Sequence, residues 1–435
     1  MKKLLVILSS LLTQLLVTSL ASAVEIQEVK SASGIKAYLV ENYNTPLITL
    51  SFSFAGGAAQ DPVGKEGVTR LLSTMLDEGS GDINGSDFQA LAEKLGVEIG
   101  FRAERDYFTG RMQTLSENSA KAFDLLRLAL NEPRFDSQSL ERMRQAILVG
   151  LKRANTNPSS IASRTMREAL FNSHPYGRSR SGRVETVSLL TREDLVDIHH
   201  RLLVKKGLVI GVVGAISKAE LAPVLDYIFS KLPDDSPLAP IPEAKLEFGQ
   251  KIARQMDISQ SIVSLALPGL KRQNPEFFAA FLANHILGGG TFSSRLYDEV
   301  REKRGLAYSI FSQLATFSHA AYTMVGLATS SAKVDETVNL VRQQLKKMAE
   351  NGPTAEELAA AKKYVIGSYA IRNLDTSVKV AGVLVAIQQI DLGIDYIDRR
   401  EQLINAVTLE DVKRAASRLL NHEPTLVIVG PGGKS

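Results

Sequence analysis

Apolar and polar residues alternate along Gly34-Ile35-Lys36-Ala37-Tyr38-Leu39-Val40 and again along Leu47-Ile48-Thr49-Leu50-Ser51-Phe52-Ser53-Phe54. A period of two belongs to a β-strand, so these two runs are expected to be strands. The spacing then becomes helical, from Lys121 to Leu130 and from Ser139 to Arg153. Between Leu232 and Ile241 the pattern breaks at Pro233, Pro237 and Pro240, and Pro242 follows. Proline fixes its own φ and restricts its predecessor, so this stretch reads as an extended linker between two halves.

The halves resemble each other. Thr191-Arg192-Glu193-Asp194-Leu195 opens a helix ending at Arg201-Leu202-Leu203, followed by a strand at Leu208-Val209-Ile210-Gly211-Val212-Val213-Gly214. Thr408-Leu409-Glu410-Asp411-Val412 opens another, ending at Arg418-Leu419-Leu420 and followed by Leu426-Val427-Ile428-Val429-Gly430. Both threonines suit an N-cap, with acids in the first turn. Thr408 follows Thr191 by 217 residues and Gly430 follows Gly214 by 216. Tyr107-Phe108-Thr109 is answered by Ala321-Tyr322-Thr323, and Leu126-Arg127 by Val341-Arg342, at nearly the same offset. Agreement at several places indicates a duplication, and so a two-copy α+β protein rather than a solenoid.

Composition narrows the chemistry. The 435 residues are 44% apolar and 23% charged, as in globular proteins, and include no cysteine. That excludes disulfides, thiol nucleophiles and cysteine-ligated metals. His-based chemistry must draw on His174, His199, His200, His285, His319 or His422. Adjacent His199 and His200 diverge by about 100° on a helix and do not chelate together. The glycine runs at 288–290 and 430–433 lack the P-loop lysine and the dinucleotide-binding spacing. Met1-Lys2-Lys3, an apolar run and Ala21-Ser22-Ala23 form a secretory leader, residues 1–23, with cleavage expected before Val24. The expected location is the periplasm. Loss of Lys2 and Lys3 takes the formal charge from +4 to +2, which says little about partners. An exported chain with few aromatics among its basic residues is not expected to bind nucleic acid. Arginines and lysines crowd between Glu141 and Arg183, and read as a solvated face or one wall of a chamber for acidic peptides.

From the Gly34 strand through Pro46-Leu47-Ile48 and Ala55-Gly56-Gly57-Ala58-Ala59-Gln60-Asp61-Pro62 to Gly67-Val68, the sequence resembles the pitrilysin-type (M16) zinc peptidases in their bacterial two-domain branch. The most specific stretch is Ser294-Arg295-Leu296-Tyr297-Asp298-Glu299-Val300-Arg301-Glu302-Lys303-Arg304-Gly305-Leu306-Ala307-Tyr308-Ser309. The resemblance implies an α+β fold of two homologous halves. Each is a mainly antiparallel sheet packed with helices, and together they form a clamshell around a peptide chamber. Residues 24–231 would be the first half, 232–248 the proline-rich linker and 249–435 the second.

Catalytic members carry His-x-x-Glu-His on the first helix of the first half, which supplies two zinc ligands and a base for the bound water. A glutamate further along supplies the third ligand. The matching positions here are Arg70 and Thr74 for the histidines, Ser73 for the base and Gly150 for the distal glutamate. This chain is therefore expected to hold no metal and to need no cofactor of its own. The second part of the family site, an arginine and a tyrosine seven residues apart, is matched by Arg301 and Tyr308. By resemblance they hold the substrate backbone and stabilise the transition state. A chain that lacks the first part and keeps the second fits the non-metal subunit of a heteromeric periplasmic peptidase, whose His-x-x-Glu-His partner carries the zinc. The alternative is a periplasmic binding or assembly protein of the same fold without proteolytic activity.

Overall fold

The computed structural model describes residues 25–235 and 237–431. The leader assigned to residues 1–23 lies outside the described residues, as do Gly432 and Gly433. The first sheet has six strands, β1 (Gln27–Lys30), β2 (Lys36–Glu41), β3 (Leu47–Ala55), β4 (Glu98–Ala103), β5 (Tyr107–Leu115) and β6 (Val209–Gly214), in the order β1-β2-β6-β3-β5-β4. The second has five, β7 (Lys251–Gln255), β8 (Gln260–Pro268), β9 (Ala307–Thr316), β10 (Ala321–Ser330) and β11 (Thr425–Gly430), in the order β9-β10-β8-β11-β7. The path β2-β6-β3-β5-β4 is repeated by β7-β11-β8-β10-β9. In each, the first pair is parallel and the others antiparallel. The repeat read from the sequence is thus a repeat of topology, with Tyr107 and Ala321 opening equivalent strands.

The helices of the first half include α1 (Val68–Leu72), α2 (Ser119–Asn131), α3 (Ser137–Thr156), α4 (Pro158–Phe171), α5 (Arg192–Leu202) and α6 (Lys218–Phe229). Those of the second include α7 (Phe277–Asn284), α8 (Val334–Asn351), α9 (Ala355–Gly367), α10 (Ser377–Gln389) and α11 (Leu409–Leu420). The equivalent helices α5 and α11 start alike. Thr191 Oγ1 accepts from the Asp194 N–H and Thr408 Oγ1 from the Asp411 N–H, and each aspartate accepts its threonine's N–H in return. Each cap removes two orphan donors, an arrangement that stabilises a helix start by about 1 kcal/mol. Separate apolar cores form behind the two sheets. Leu50, Phe52, Phe54, Leu126, Leu195 and Leu225 belong to the first, and Val263, Leu265, Val341, Leu345, Val412 and Leu419 to the second.

Each half lends a helix to the other. α4 lies across β8 and β11, where Ala162, Met166 and Phe171 pack with Ala266, Val427 and Val429. α10 lies across β3 and β6, with Val380, Ala381 and Leu384 against Val213. The polar positions of an alternating strand ordinarily face water. Here Thr49 and Ser53 are fully buried beneath α10, where Thr49 meets the Ser377 hydroxyl at 2.9 Å and Ser53 accepts from the Gln389 amide at 2.7 Å. The linker is not loose either: Leu238 joins the first core, Ile241 and Phe248 the seam between the sheets, and the Gln60 amide is bonded to the Ala239 backbone.

Gly211 lets α10 approach β6 closely. A Cβ there would lie 2.6 Å from the Ala381 carbonyl oxygen and 2.7 Å from Leu384 Cβ. Gly211→Val is therefore expected to lower stability by about 2–3 kcal/mol, the cost of overpacking a site bounded by backbone. Urea denaturation reads this directly, and an unchanged midpoint would show that α10 does not rest on β6 in solution.

Candidate functional site

The segment matching the zinc motif is short. Gly67, at φ +98°, starts α1, and five residues later the helix gives way to irregular turns. Its N-terminus is capped by the buried Asp61 carboxylate, which accepts from the Gly67 N–H at 2.7 Å, from the Thr69 N–H at 3.2 Å and from the Thr69 hydroxyl. Burial pushes that carboxyl up to about 6 despite these donors. Arg178 ties the preceding 3-10 turn (Ala58–Gln60) by donating to the Asp61 and Ala59 carbonyls at 2.7 and 3.0 Å.

α1 packs against α3, the helix that carries Gly150. The chemistry of the four motif positions does not suit a metal. The Arg70 guanidinium donates to Ser73 Oγ at 3.3 Å, while Ser73 and Thr74 turn their hydroxyls onto the Arg70 and Leu71 carbonyls, both at 2.8 Å. A cation and two internally bonded hydroxyls offer no anionic or imidazole ligand, and Gly150 offers no side chain. Among the described residues, no group of three or more histidines, aspartates or glutamates is placed to hold a metal ion.

The histidines are spread across the fold. His199 is buried and its Nε2 meets the Leu130 carbonyl at 2.8 Å, while neighbouring His200 is exposed. His285 stacks on Tyr364 at 5.3 Å between ring centres. His174 bonds to the Pro242 carbonyl and His422 to that of Arg418. His319 has a glutamate neighbour that sequence spacing could not reveal: Glu243 Oε1 lies 3.4 Å from its Nδ1. Lys271 shares that carboxylate.

The Arg301 and Tyr308 positions are built differently. Leu296, Val300, Leu306 and Ala307 anchor the signature in the second core. Arg295 grips Glu357 of α9 through two bonds, at 2.7 and 2.6 Å, and donates to the Gly352 carbonyl at 3.0 Å. Tyr297–Glu302 form a π-helical turn, as do His285–Gly289 after α7. Such turns re-aim side chains by one residue and are frequent at functional sites. Gly288 allows the second turn to press on β9, since a Cβ there would sit 2.7 Å from the Ser312 nitrogen. The run 288–290 thus permits close packing and ends the helix, with the Gly290 N–H closing onto the His285 carbonyl at 2.8 Å.

Gly305, at φ +61°, stops the first turn, with its N–H bonded to the Arg301 carbonyl at 2.9 Å and that of Leu306 to Val300. The chain then enters β9 through a bulge. Ala307 pairs with Thr329 but Ile310 with Leu327, so three steps on β9 match two on β10. Without the extra residue Tyr308 would share the buried face of Ile310. With it, Tyr308 turns outward and is 79% exposed.

The Arg301 guanidinium lies 5.1 Å from the Tyr308 ring centre and 4.7 Å from that of Tyr297, between two aromatic faces. Nearby acids are mostly engaged elsewhere. Glu299 takes Lys303 and Arg304, and Asp298 also takes Lys303. Among the described residues, Glu302 is the acid that pairs with Arg301, at 3.9 Å. The structure therefore presents a cation and a phenol together on a solvent-facing surface, able to donate to an oxygen that gains charge. Tyr297, the platform beneath Arg301, was not singled out from the sequence. Its position one helical turn before Arg301 was the available signal.

Two α+β halves of one topology, a degenerate metal helix in the first and a paired arginine and tyrosine in the second, define a peptidase-like fold without its metal ligands. Family models agree: "Insulinase (Peptidase family M16)" matches residues 36–183 and "Peptidase M16 inactive domain" matches residues 189–365. The chain belongs to peptidase family M16, as the type without the metal motif. A crystal structure described as the peptidase M16 inactive domain from Pseudomonas fluorescens superposes with a TM-score of 0.88 at 29% identity, over 94% of this chain and 98% of that one. A Helicobacter pylori protein named "Non-peptidase homolog YmxG" is 26% identical over 81% of this chain and 82% of its own length. A Bacillus subtilis protein named "Uncharacterized zinc protease YmxG" is 22% identical over 92% and 97%.

Proposed function

We propose that this chain is the non-metal subunit of a periplasmic heteromeric M16-type peptidase, supplying substrate-binding and oxyanion-stabilising groups to a partner that holds zinc. One observation carries the reading. The Arg301/Tyr308 pair is assembled by a π-turn, a left-handed glycine and a bulge, while the metal-motif positions hold Arg70, Ser73, Thr74 and Gly150. In the complex, Arg301 and Tyr308 would donate to the scissile carbonyl oxygen as it gains charge. Periplasmic location rests on the leader, and among the described residues no helix is long and apolar enough to cross a membrane. A second reading, a binding or assembly protein without proteolytic activity, is favoured by the name of the Helicobacter pylori relative.

The purified chain alone is expected to hold no stoichiometric zinc and to cleave no peptide. Mixed with an exported His-x-x-Glu-His chain of the same family, it should form a complex that cleaves peptides faster than that chain alone. Elemental analysis and a fluorogenic peptide assay read the outcomes. One tightly bound zinc in the isolated chain, with chelator-sensitive activity, would overturn the subunit reading. A stable complex with no gain in turnover would shift support to the assembly protein.

A further inference from the structure

Where the β4–β5 hairpin (residues 104–106) meets the β9–β10 hairpin (residues 317–320), the two halves line a half-open cavity of about 620 Å³. That is within the usual range for ligand pockets, about 300–1,000 Å³. Its wall carries four guanidiniums, Arg105, Arg167, Arg180 and Arg272, and two carboxylates, Glu104 and Asp106. Both carboxylates are in use. Glu104 pairs with Arg180 and, at 3.8 Å, with Arg102. Asp106 accepts the Tyr176 hydroxyl and, at 3.1 Å, the Ser318 N–H. Among the described residues, no ion pair joins a carboxylate to Arg105, Arg167 or Arg272.

Those three arginines are held by neutral partners. Arg105 donates to the Tyr176 carbonyl at 2.8 Å and lies over the Tyr176 and Phe317 rings. Arg167 reaches the Gly177 carbonyl at 3.3 Å. Arg272 meets the Tyr396 hydroxyl at 2.6 Å and lies 4.3 Å from the Phe277 ring centre. A guanidinium has five N–H donors, so anchoring by one leaves most of each fork for a ligand. The arrangement is costly when empty of anions. Burial, together with repulsion from Arg167 and Arg180, presses Arg105 down to about 10, and burial lowers Arg167 as well.

We propose that this cavity is a carboxylate-binding site, which takes the C-terminal carboxylate or an acidic side chain of an extended peptide. Planar carboxylates match guanidinium forks through paired charge-assisted bonds. That the carboxylate comes from a peptide rests on the subunit reading; the anion site itself rests on the cavity. The site is distinct from the Arg301/Tyr308 pair. Thr316, which lines the cavity, stands eight residues beyond Tyr308, about 25 Å at the rise of a strand. The basic crowding between Glu141 and Arg183 thus contributes Arg167 and Arg180 to a chamber wall that the other half completes.

The test is direct binding to the isolated mature chain, with no partner and no turnover, so its outcome is independent of the peptidase assay. Three labelled octapeptides serve as probes in fluorescence anisotropy: a neutral one with a free C-terminus, its C-terminal amide, and that amide carrying one internal glutamate. One or both charged peptides should bind at least about tenfold tighter than the neutral amide, and which does so identifies the source of the carboxylate. Arg167→Gln should weaken the charged peptides by about ten- to a hundredfold, as for a lost charge-assisted bond, and leave the neutral amide unchanged. Arg272→Gln, on the wall supplied by the other half, provides the same reading should Arg167→Gln fail to fold. Equal binding of all three peptides, or no loss in either folded variant, would overturn the proposal. So would binding of inorganic phosphate that no peptide displaces.

Discussion

Tyr308→Phe is expected to lower the turnover of the reconstituted complex by about 10²–10³-fold, while folding and association stay intact. The magnitude is that of one preorganised oxyanion donor, about 3–4 kcal/mol. The substitution isolates the hydroxyl. Arg301 rests against the Tyr308 ring face, and phenylalanine keeps that face. Core packing is untouched, since the ring is largely exposed. Arg301→Ala should raise KM as well as lower kcat, because a guanidinium that holds a peptide backbone acts in both ground and transition states. Steady-state kinetics with both chains in excess of their dissociation constant separates the two effects. Unchanged kinetics in both variants would make the pair structural, and the assembly-protein reading would then lead.

What the sequence disclosed follows from the range of the interactions involved. Period-two runs located β2 and β3 to within two residues at either end, and the helical runs located α2 and α3 to within three. The Thr191 and Thr408 caps were legible because a cap is decided by four neighbouring residues. The duplication was legible because its copies keep their order. The exchange of α4 and α10 was not, since it joins residues such as Thr49 and Ser377 that no local pattern relates. For the same reason the alternation of β3 gave no hint that its polar face would be buried. At the site, resemblance pointed to Arg301 and Tyr308, whereas an unbroken strand period would put Tyr308 on the buried face of Ile310. The reversal lies in one bulge residue, whose presence depends on how β9 registers with β10. The arginine cavity draws its wall from both halves, and only Arg167 and Arg180 stood out as part of a basic run.

Acid should weaken the fold through His199, by an amount large enough to isolate. The ring is 7% exposed, its Nε2–H donates to the Leu130 carbonyl, and its edge meets Phe135. Burial, with a smaller push from neighbouring His200, lowers it from 6.5 to about 4. Between those values the unfolded chain takes up a proton that the folded chain refuses, so stability falls as pH drops through this window. At about pH 4.5 the loss relative to pH 7 is about 2.5 kcal/mol. Asp61 and Asp77 act in the opposite sense. Burial raises each to about 6, so the folded state holds their protons more firmly and gains stability on acidification. The whole-protein profile therefore mixes both signs, and the difference between wild type and His199→Gln separates them. Glutamine keeps an amide donor for Leu130 but cannot take up a charge. At about pH 7 the variant should be the less stable by about 1 kcal/mol, the cost of a poorer fit. At about pH 4.5 it should be the more stable. Urea denaturation at the two pH values measures the crossing, and parallel profiles for the two proteins would show that His199 titrates normally in the fold.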